Sequence, residues 1–331
     1  MENNISERHV VFLAYLLAAF AIIIGLINPA FFSIGTLFDV IRNQTIYILL
    51  AFALLPVAIL GGFDISFVAI AAFATYPALL ILTQVGYEGG IWLFYILAMV
   101  FGIAAGILNG LLLWSFKLAI FDFSLGMSSV IFGLLTLTSG SRSTSLPLQA
   151  LEGWNKKWLV TVRSVAGISG LHVSFLLIIL AFITLFIFLR YSTSGRYIYA
   201  LGSDRSVAIR TGIDSKKIYL IIFSIMGALA AVAGATNSGL GYGNVTFAGK
   251  FMRVYATVII GGASVHGGRG SVVGTLMGVL LVGLINQAMV YLKIPTSWGD
   301  AFLGIVFIAF TFSQSLERWS NPRKIRLLKP N

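Results

Sequence analysis

Cysteine is missing from all 331 residues, histidine occurs three times, and only 10% of the chain is charged. The first absence removes disulfides, thiolate metal sites and thiol nucleophiles together. The second leaves His9, His172 and His266 too far apart in sequence to suggest a ligand cluster. The third is the most restrictive, because a soluble domain carries about 25% charged residues. Apolar residues take their place. They make up 58% of the chain and give a mean hydropathy of +0.96, more apolar surface than a soluble fold of this length can hide. The chain therefore reads as an integral membrane protein, and cytosolic enzymes and disordered scaffolds are excluded. A β-barrel is excluded too, since its strands alternate apolar and polar residues whereas 173–189 and 278–285 are almost continuously apolar.

Lysine and arginine outnumber the acids to give a net charge of +11. In so apolar a chain this reads as basic loops held against anionic headgroups and cytosolic partners, not as a nucleic-acid surface. Apolar blocks cover about 10–28, 44–60, 63–83, 91–115, 118–139, 172–190, 217–237, 252–262, 271–292 and 298–313. They predict an all-α fold of about ten transmembrane or partly re-entrant helices, in a single membrane domain covering 1–331. The first block is long for a signal peptide's apolar core, so it is expected to stay as a span. Only Gly61 and Gly62 separate the second block from the third, and 252–262 is too short to cross at ~1.5 Å per residue. Broken helices are the expected account, permitted where protein covers the freed backbone or where it lines a cavity.

Orientation follows from the basic residues. Segment 191–216 and its edges carry Arg190, Arg196, Arg205, Arg210, Lys216 and Lys217, and the tail 314–331 carries Arg318, Arg323, Lys324, Arg326 and Lys329. Both are expected in the cytoplasm, and an even number of spans puts the N-terminus there as well. Loop 141–170 then falls outside despite Arg142, Lys156, Lys157 and Arg163. Either the span count is off by one or those charges meet an acidic partner.

The densest glycine cluster, 261–274, lacks the lysine and hydroxyl residue of a phosphate loop and has no strand before it. Close helix packing is the expected use, along Gly270, Gly274 and Gly278 and along Gly102, Gly106 and Gly110, each set spaced by four. Within 191–216, Ser203 is expected to cap a helix of about two turns, roughly 12 Å long, with Asp204 in its first turn and Gly212 as its stop. That rod bears Arg205, Val207, Ala208, Ile209 and Arg210 and suits docking to a cytosolic partner; a helix lying on lipid is the alternative. Asp64 follows the glycine break and Asp300 follows Ser297 by three, as helix caps do. Asp122 has no capping motif, and an ionisable group near an apolar region is costly and often functional; a place at the headgroup boundary beside Lys117 is the equal alternative. With Asn286 and Gln287, Asp64 and Asp122 are the candidates for lining a translocation pathway, although polar residues within spans also serve as interhelical glue. No nucleophile–base pair or carboxylate pair suggests catalysis.

Three stretches together, Gly61-Gly62-Phe63-Asp64-Ile65-Ser66, 195–202 with Thr211-Gly212-Ile213, and 258–262 through 267–275, make the chain from about 32 to 312 resemble the permease subunits of ribose-type ABC sugar importers. The resemblance implies a type II importer permease in a bacterial inner membrane, paired with a second permease chain as a homodimer or heterodimer. It further implies cytosolic subunits that carry ATP and magnesium, a solute-binding protein outside, and a sugar-like cargo. No cofactor is expected on this chain itself. The rod at 203–212 would be the coupling helix. An autonomous ion-coupled secondary transporter is the alternative, and the few buried charges argue against it.

Overall fold

The computed structural model describes residues 2–139, 151, 153–164, 167–241 and 250–319. The part of the basic tail from 320 onward and the loop residues 141–150 lie outside them. Each apolar block forms a helix: α1 (Glu2–Ile27), α2 (Ile34–Leu60), α3 (Ser66–Gln84), α4 (Trp92–Phe116), α5 (Ile120–Ser139), α6 (Phe175–Tyr191), α9 (Ser215–Gly239), α10 (Lys250–Ile260), α11 (Val272–Tyr291) and α12 (Gly299–Trp319). Two short polar helices, α7 (Thr193–Ser203) and α8 (Arg205–Arg210), stand between α6 and α9. Among the described residues, seven helices, α1 to α5 with α9 and α11, are long and apolar enough to cross a bilayer. Helix α6 qualifies only together with α7, from which it is bent by 72°. Ser192 makes that bend: its hydroxyl donates to the Phe188 carbonyl at 2.7 Å, ending α6, and accepts from Gly195 N–H at 2.8 Å, starting α7.

Helix α2 is the axis of the bundle, and its side chains from Ile48 to Ile59 are almost all fully buried. Lipid tails are as apolar as leucine, so burial alone does not hold such helices together, and close backbone contact does. Gly102, Gly106 and Gly110 of α4 lie against the backbone carbonyls of Gly227, Phe223 and Tyr219 of α9, and a Cβ at any of them would collide with those oxygens. Gly274 and Gly278 bring α11 equally close to Gly261 and Thr257 at the end of α10. Gly270 does not continue that seam. It rests on the side chains of Ile59 and Leu55 of α2, because the chain has not yet entered α11 at Val272.

Loop 141–170 is not all irregular, which amends the all-α expectation. It holds an antiparallel hairpin, β1 (Trp158–Ser164) and β2 (Gly167–His172). The hairpin is seated near the start of α2, where the Arg42 guanidinium covers the Trp158 ring at 4.6 Å and Ser169 Oγ donates to Asp39 at 3.1 Å. His172 fixes its end. Nδ1 accepts from Ser174 N–H at 3.1 Å, so the proton sits on Nε2, which donates to the Trp154 carbonyl at 2.8 Å.

Burial holds the His172 pKa below its ordinary value, with nearby Arg42 adding to the effect and the Trp154 hydrogen bond opposing it. The unfolded loop binds a proton that the folded one refuses, so stability rises with pH here and falls as pH drops through the ordinary imidazole range of about 6.5. Limited proteolysis of 151–174 is therefore expected to accelerate several-fold between pH 7.5 and 5.5. The same assay on His172→Gln should show no such rise.

Candidate translocation and coupling site

Four segments converge at the far end of α2. Helix α2 closes on Gly61 with φ +93°, and α10 closes on Gly262 with φ +94°, each in the left-handed conformation that glycine adopts without strain. The turn after α10 then doubles back. Gly268 N–H donates to the Ile59 carbonyl at 2.8 Å, Tyr199 Oη donates to the Gly270 carbonyl at 2.9 Å, and Gly202 of α7 is wedged between Ile59 and Gly268. The glycine cluster is thus a close-packed joint that ties α7 to α2 and α10. Asp39, which holds the hairpin, lies ~30 Å from Ile59 along the axis of α2 at ~1.5 Å per residue, so hairpin and joint occupy opposite ends of the bundle.

Helix α8 differs from the expected rod in three ways. Its cap is Asp204, not Ser203, which ends α7. Asp204 Oδ1 accepts from the backbone N–H groups of Ser206 at 2.9 Å and Val207 at 3.0 Å and from the Ser206 hydroxyl at 2.8 Å. The Val207 bond, followed by that of the Ser206 hydroxyl, holds its carboxyl below the usual range. The helix is six residues long, ~9 Å, and not two full turns. Of its three apolar residues only Val207 and Ile209 are exposed for docking, whereas Ala208 is buried against the bundle. Gly212, φ +88°, stops it, with Gly212 N–H on Ile209 O and Ile213 N–H on Ala208 O. Arg210 reaches back to Ser206, and Arg205 covers the Tyr219 ring at 5.4 Å.

The pathway candidates are not brought together. Asp64 is fully buried at the joint end, where Oδ1 accepts from Ser66 Oγ at 2.7 Å and Phe67 N–H at 3.2 Å, while Asn109 of α4 donates to Ser66. It starts α3 and anchors it to α4. Asn286 and Gln287 lie about 20 Å up α11 by helical rise, both partly buried, near the start of α12. There Asp300 stands in the first turn of α12 and pairs with Arg253 at 2.7 Å. Asp300 is largely exposed and Arg253 only partly, so water weakens the pair from one side. Asp122 is exposed in the first turn of α5, where a carboxylate complements the helix dipole, so it does have the local support that the sequence left unexplained.

One feature of α5 was hidden in the sequence. Asp122, Gly126, Ser129, Gly133 and Thr136 follow one another at alternating steps of four and three, and all five are exposed. They form one narrow polar and small-residue stripe, and nothing lies within 4 Å of a Cβ built on Gly126 or Gly133. The 3.5-residue period was the signal that could have shown it. The opposite side of α5 is tied to the joint through Ser124 Oγ, which accepts from Ile65 N–H at 3.1 Å. Among the described residues, no group of three or more His, Asp or Glu side chains is placed to hold a metal ion.

A family model described as a branched-chain amino acid transport system permease component matches residues 36–311. The ribose import permease protein RbsC of Bacillus subtilis (strain 168) is 31% identical over 295 residues, covering 87% of each chain. The autoinducer 2 import system permease protein LsrC of Photorhabdus luminescens is 30% identical over 312 residues, covering 93% of this chain and 89% of the relative. The LsrC protein of Escherichia coli (strain K12 / DH10B) is 27% identical over 308 residues, covering 92% and 86%. No solved structure matches the chain.

Proposed function

Because the chain belongs to this family of transport-system permease components, we propose that it is the transmembrane subunit of an ATP-driven importer and forms the pathway for a monosaccharide or similar neutral hydroxylated solute. It is a multi-pass membrane protein and a transport component, not an enzyme. The observation that carries the sugar reading is its similarity over almost nine-tenths of its length to a ribose import permease. The exposed stripe on α5 supports it, since Ser129 and Thr136, whose hydroxyls donate to the Leu125 and Phe132 carbonyls, still present acceptor oxygens, and Asp122 is the stripe's one charge.

In this reading α5 lines the pathway together with a second permease chain, identical or different. Segment 191–216 meets cytosolic ATP-binding subunits, which hold ATP and magnesium, through Val207 and Ile209 of α8. The hairpin end faces outward in the inner membrane, and exposed Lys156 and Lys157 meet a solute-binding protein. The basic segment 191–216 and the basic tail, with both termini, then lie in the cytoplasm, in keeping with the distribution of lysine and arginine. The test is ATP hydrolysis by the chain assembled in nanodiscs with its ATP-binding subunits and solute-binding protein, across a panel of sugars. A neutral sugar is expected to stimulate hydrolysis, whereas stimulation by amino acids alone would redirect the reading.

Asp122 gives a finer test. Asparagine keeps its shape and much of its hydrogen bonding, and alanine removes both. Asp122→Ala is expected to lower uptake several-fold more than Asp122→Asn, with assembly retained in each. Equal uptake in the wild type and both variants would leave Asp122 with only its helix-dipole role.

A further inference from the structure

A cavity of about 410 Å³ opens beside the joint, between the α2–α3 turn, the α4–α5 turn, the start of α8 and the adjoining ends of α9 and α10. Its size is that of a small-molecule pocket. Three of its aromatic walls form one cluster: the Phe63 ring lies 3.7 Å from Tyr255 and 5.4 Å from Phe121, centroid to centroid. Tyr219 completes the lining, with Arg205 lying over its ring. No lining residue is acidic.

Its polar groups are unspent. Tyr219 and Tyr255 are each 6% exposed, yet neither phenolic hydroxyl has a hydrogen-bond partner among the described residues. Arg205 has no carboxylate partner among them, and Asp204 is occupied in capping α8. Ile120 and Phe121 begin α5, a helix of 20 residues, so their N–H groups have no acceptor within it, while Asp122 in the same turn already complements the helix dipole. A guanidinium, two free amides and two buried phenols around aromatic faces fit a ligand with one anionic group and a hydroxylated body whose C–H face packs on rings.

We propose that this cavity binds a phosphorylated monosaccharide on the side that carries the coupling helix. Inorganic phosphate would leave the aromatic walls unused, and a neutral sugar would leave Arg205 unused. A lipid headgroup offers the same phosphate chemistry, but it brings no hydroxylated ring to pack on the aromatic walls. A ligand held there bridges Arg205 of α8 to the α2–α3 turn and the start of α5, the parts that must shift against one another for ATP to drive transport. Its occupancy therefore restrains uptake. The reaction class that supplies such a ligand is phosphorylation of the imported sugar, which makes the site a feedback control. The choice of a sugar rests on the proposed function; the binding of an organic phosphate does not.

The test is isothermal titration of the full chain in zwitterionic nanodiscs with ribose 5-phosphate and glucose 6-phosphate. Saturable binding of at least one, with one ligand per chain, is expected, weakened tenfold or more in Arg205→Gln and in Tyr255→Phe. The second variant keeps the ring and thus the packing, and unchanged gel-filtration behaviour checks that it folds. Ribose and inorganic phosphate should bind at least tenfold more weakly. No saturable binding, or binding unchanged in both variants, overturns the proposal. Equal binding of ribose would make the cavity part of the cargo's route, and competitive loss of binding in anionic-lipid nanodiscs would make a headgroup its occupant; either outcome also overturns it. Uptake by the assembled transporter separates the two readings. Binding without uptake removes the importer reading alone, and uptake without binding removes the cavity assignment alone.

Discussion

Gly106→Leu is expected to eliminate the folded chain from the membrane, the largest effect of any single substitution considered. A Cβ at 106 would already overlap the Phe223 carbonyl of α9, and the flanking Gly102 and Gly110 hold the same two backbones together, so the seam has no slack. Ordinary overpacking costs ~1–3 kcal/mol because side chains can shift. Here the obstacle is backbone, and relief requires α4 and α9 to separate along their length. Even Gly106→Ala should reduce the yield of monodisperse protein severely. Gly126→Ala is the control, because that glycine faces open space on α5 and should tolerate the methyl group without loss. Detergent-solubilised yield and melting temperature read the difference; a Gly106→Leu protein of normal yield would show that the α4–α9 contact is not what holds the bundle.

The second large effect is expected at α8. Ile209→Asp places a charge on the exposed face of α8, the proposed coupling helix, without touching the bundle, whereas Ala208→Asp buries one against it. The first should lower ATP-driven uptake by more than tenfold in a permease that assembles and melts as the wild type does, because an interface neither accommodates an unpaired charge nor compensates for it. The second should lower the stability of the whole chain. Asp204→Asn should be nearly silent and Asp204→Ala should behave like a weaker Ile209→Asp, since asparagine still caps a helix and alanine does not. Uptake with each variant, normalised to protein inserted in the membrane, measures all four. Equal loss in Ile209→Asp and Ala208→Asp, with equal melting temperatures, would contradict the division of α8 into an outer and an inner face.

The sequence was informative where a single residue type had one use. Ten apolar blocks became ten helices because nothing else tolerates that many unbroken apolar residues. The glycine pair at 61–62 marked a helix end because only glycine adopts the left-handed backbone without strain. The glycines of α4 were legible for another reason: spaced by four, they alone let two helix backbones touch. Elsewhere two readings were locally equal. Ser203 and Asp204 are adjacent and both cap helices well, and the choice fell to Asp204 because its carboxylate reaches two amides and a hydroxyl at once. Val207, Ala208 and Ile209 look alike in composition, and only the path of α7 into the joint decides that the alanine points inward. The hairpin strand Trp158–Ser164 is rich in valine, threonine and tryptophan, a strand signal obscured by its place between two spans. Gly270 shares the spacing of Gly274 and Gly278 but not their helix, so periodicity alone assigned it wrongly.

The measurement that bears most directly on the account is uptake of a radiolabelled neutral sugar, chosen as the one that stimulates ATP hydrolysis most, into proteoliposomes containing the chain with its ATP-binding subunits, with the solute-binding protein outside. The account predicts accumulation when ATP is enclosed, none when the ATP-binding subunits or the binding protein are omitted, and none from a proton or sodium gradient alone. Accumulation driven by either gradient through this chain by itself would contradict it.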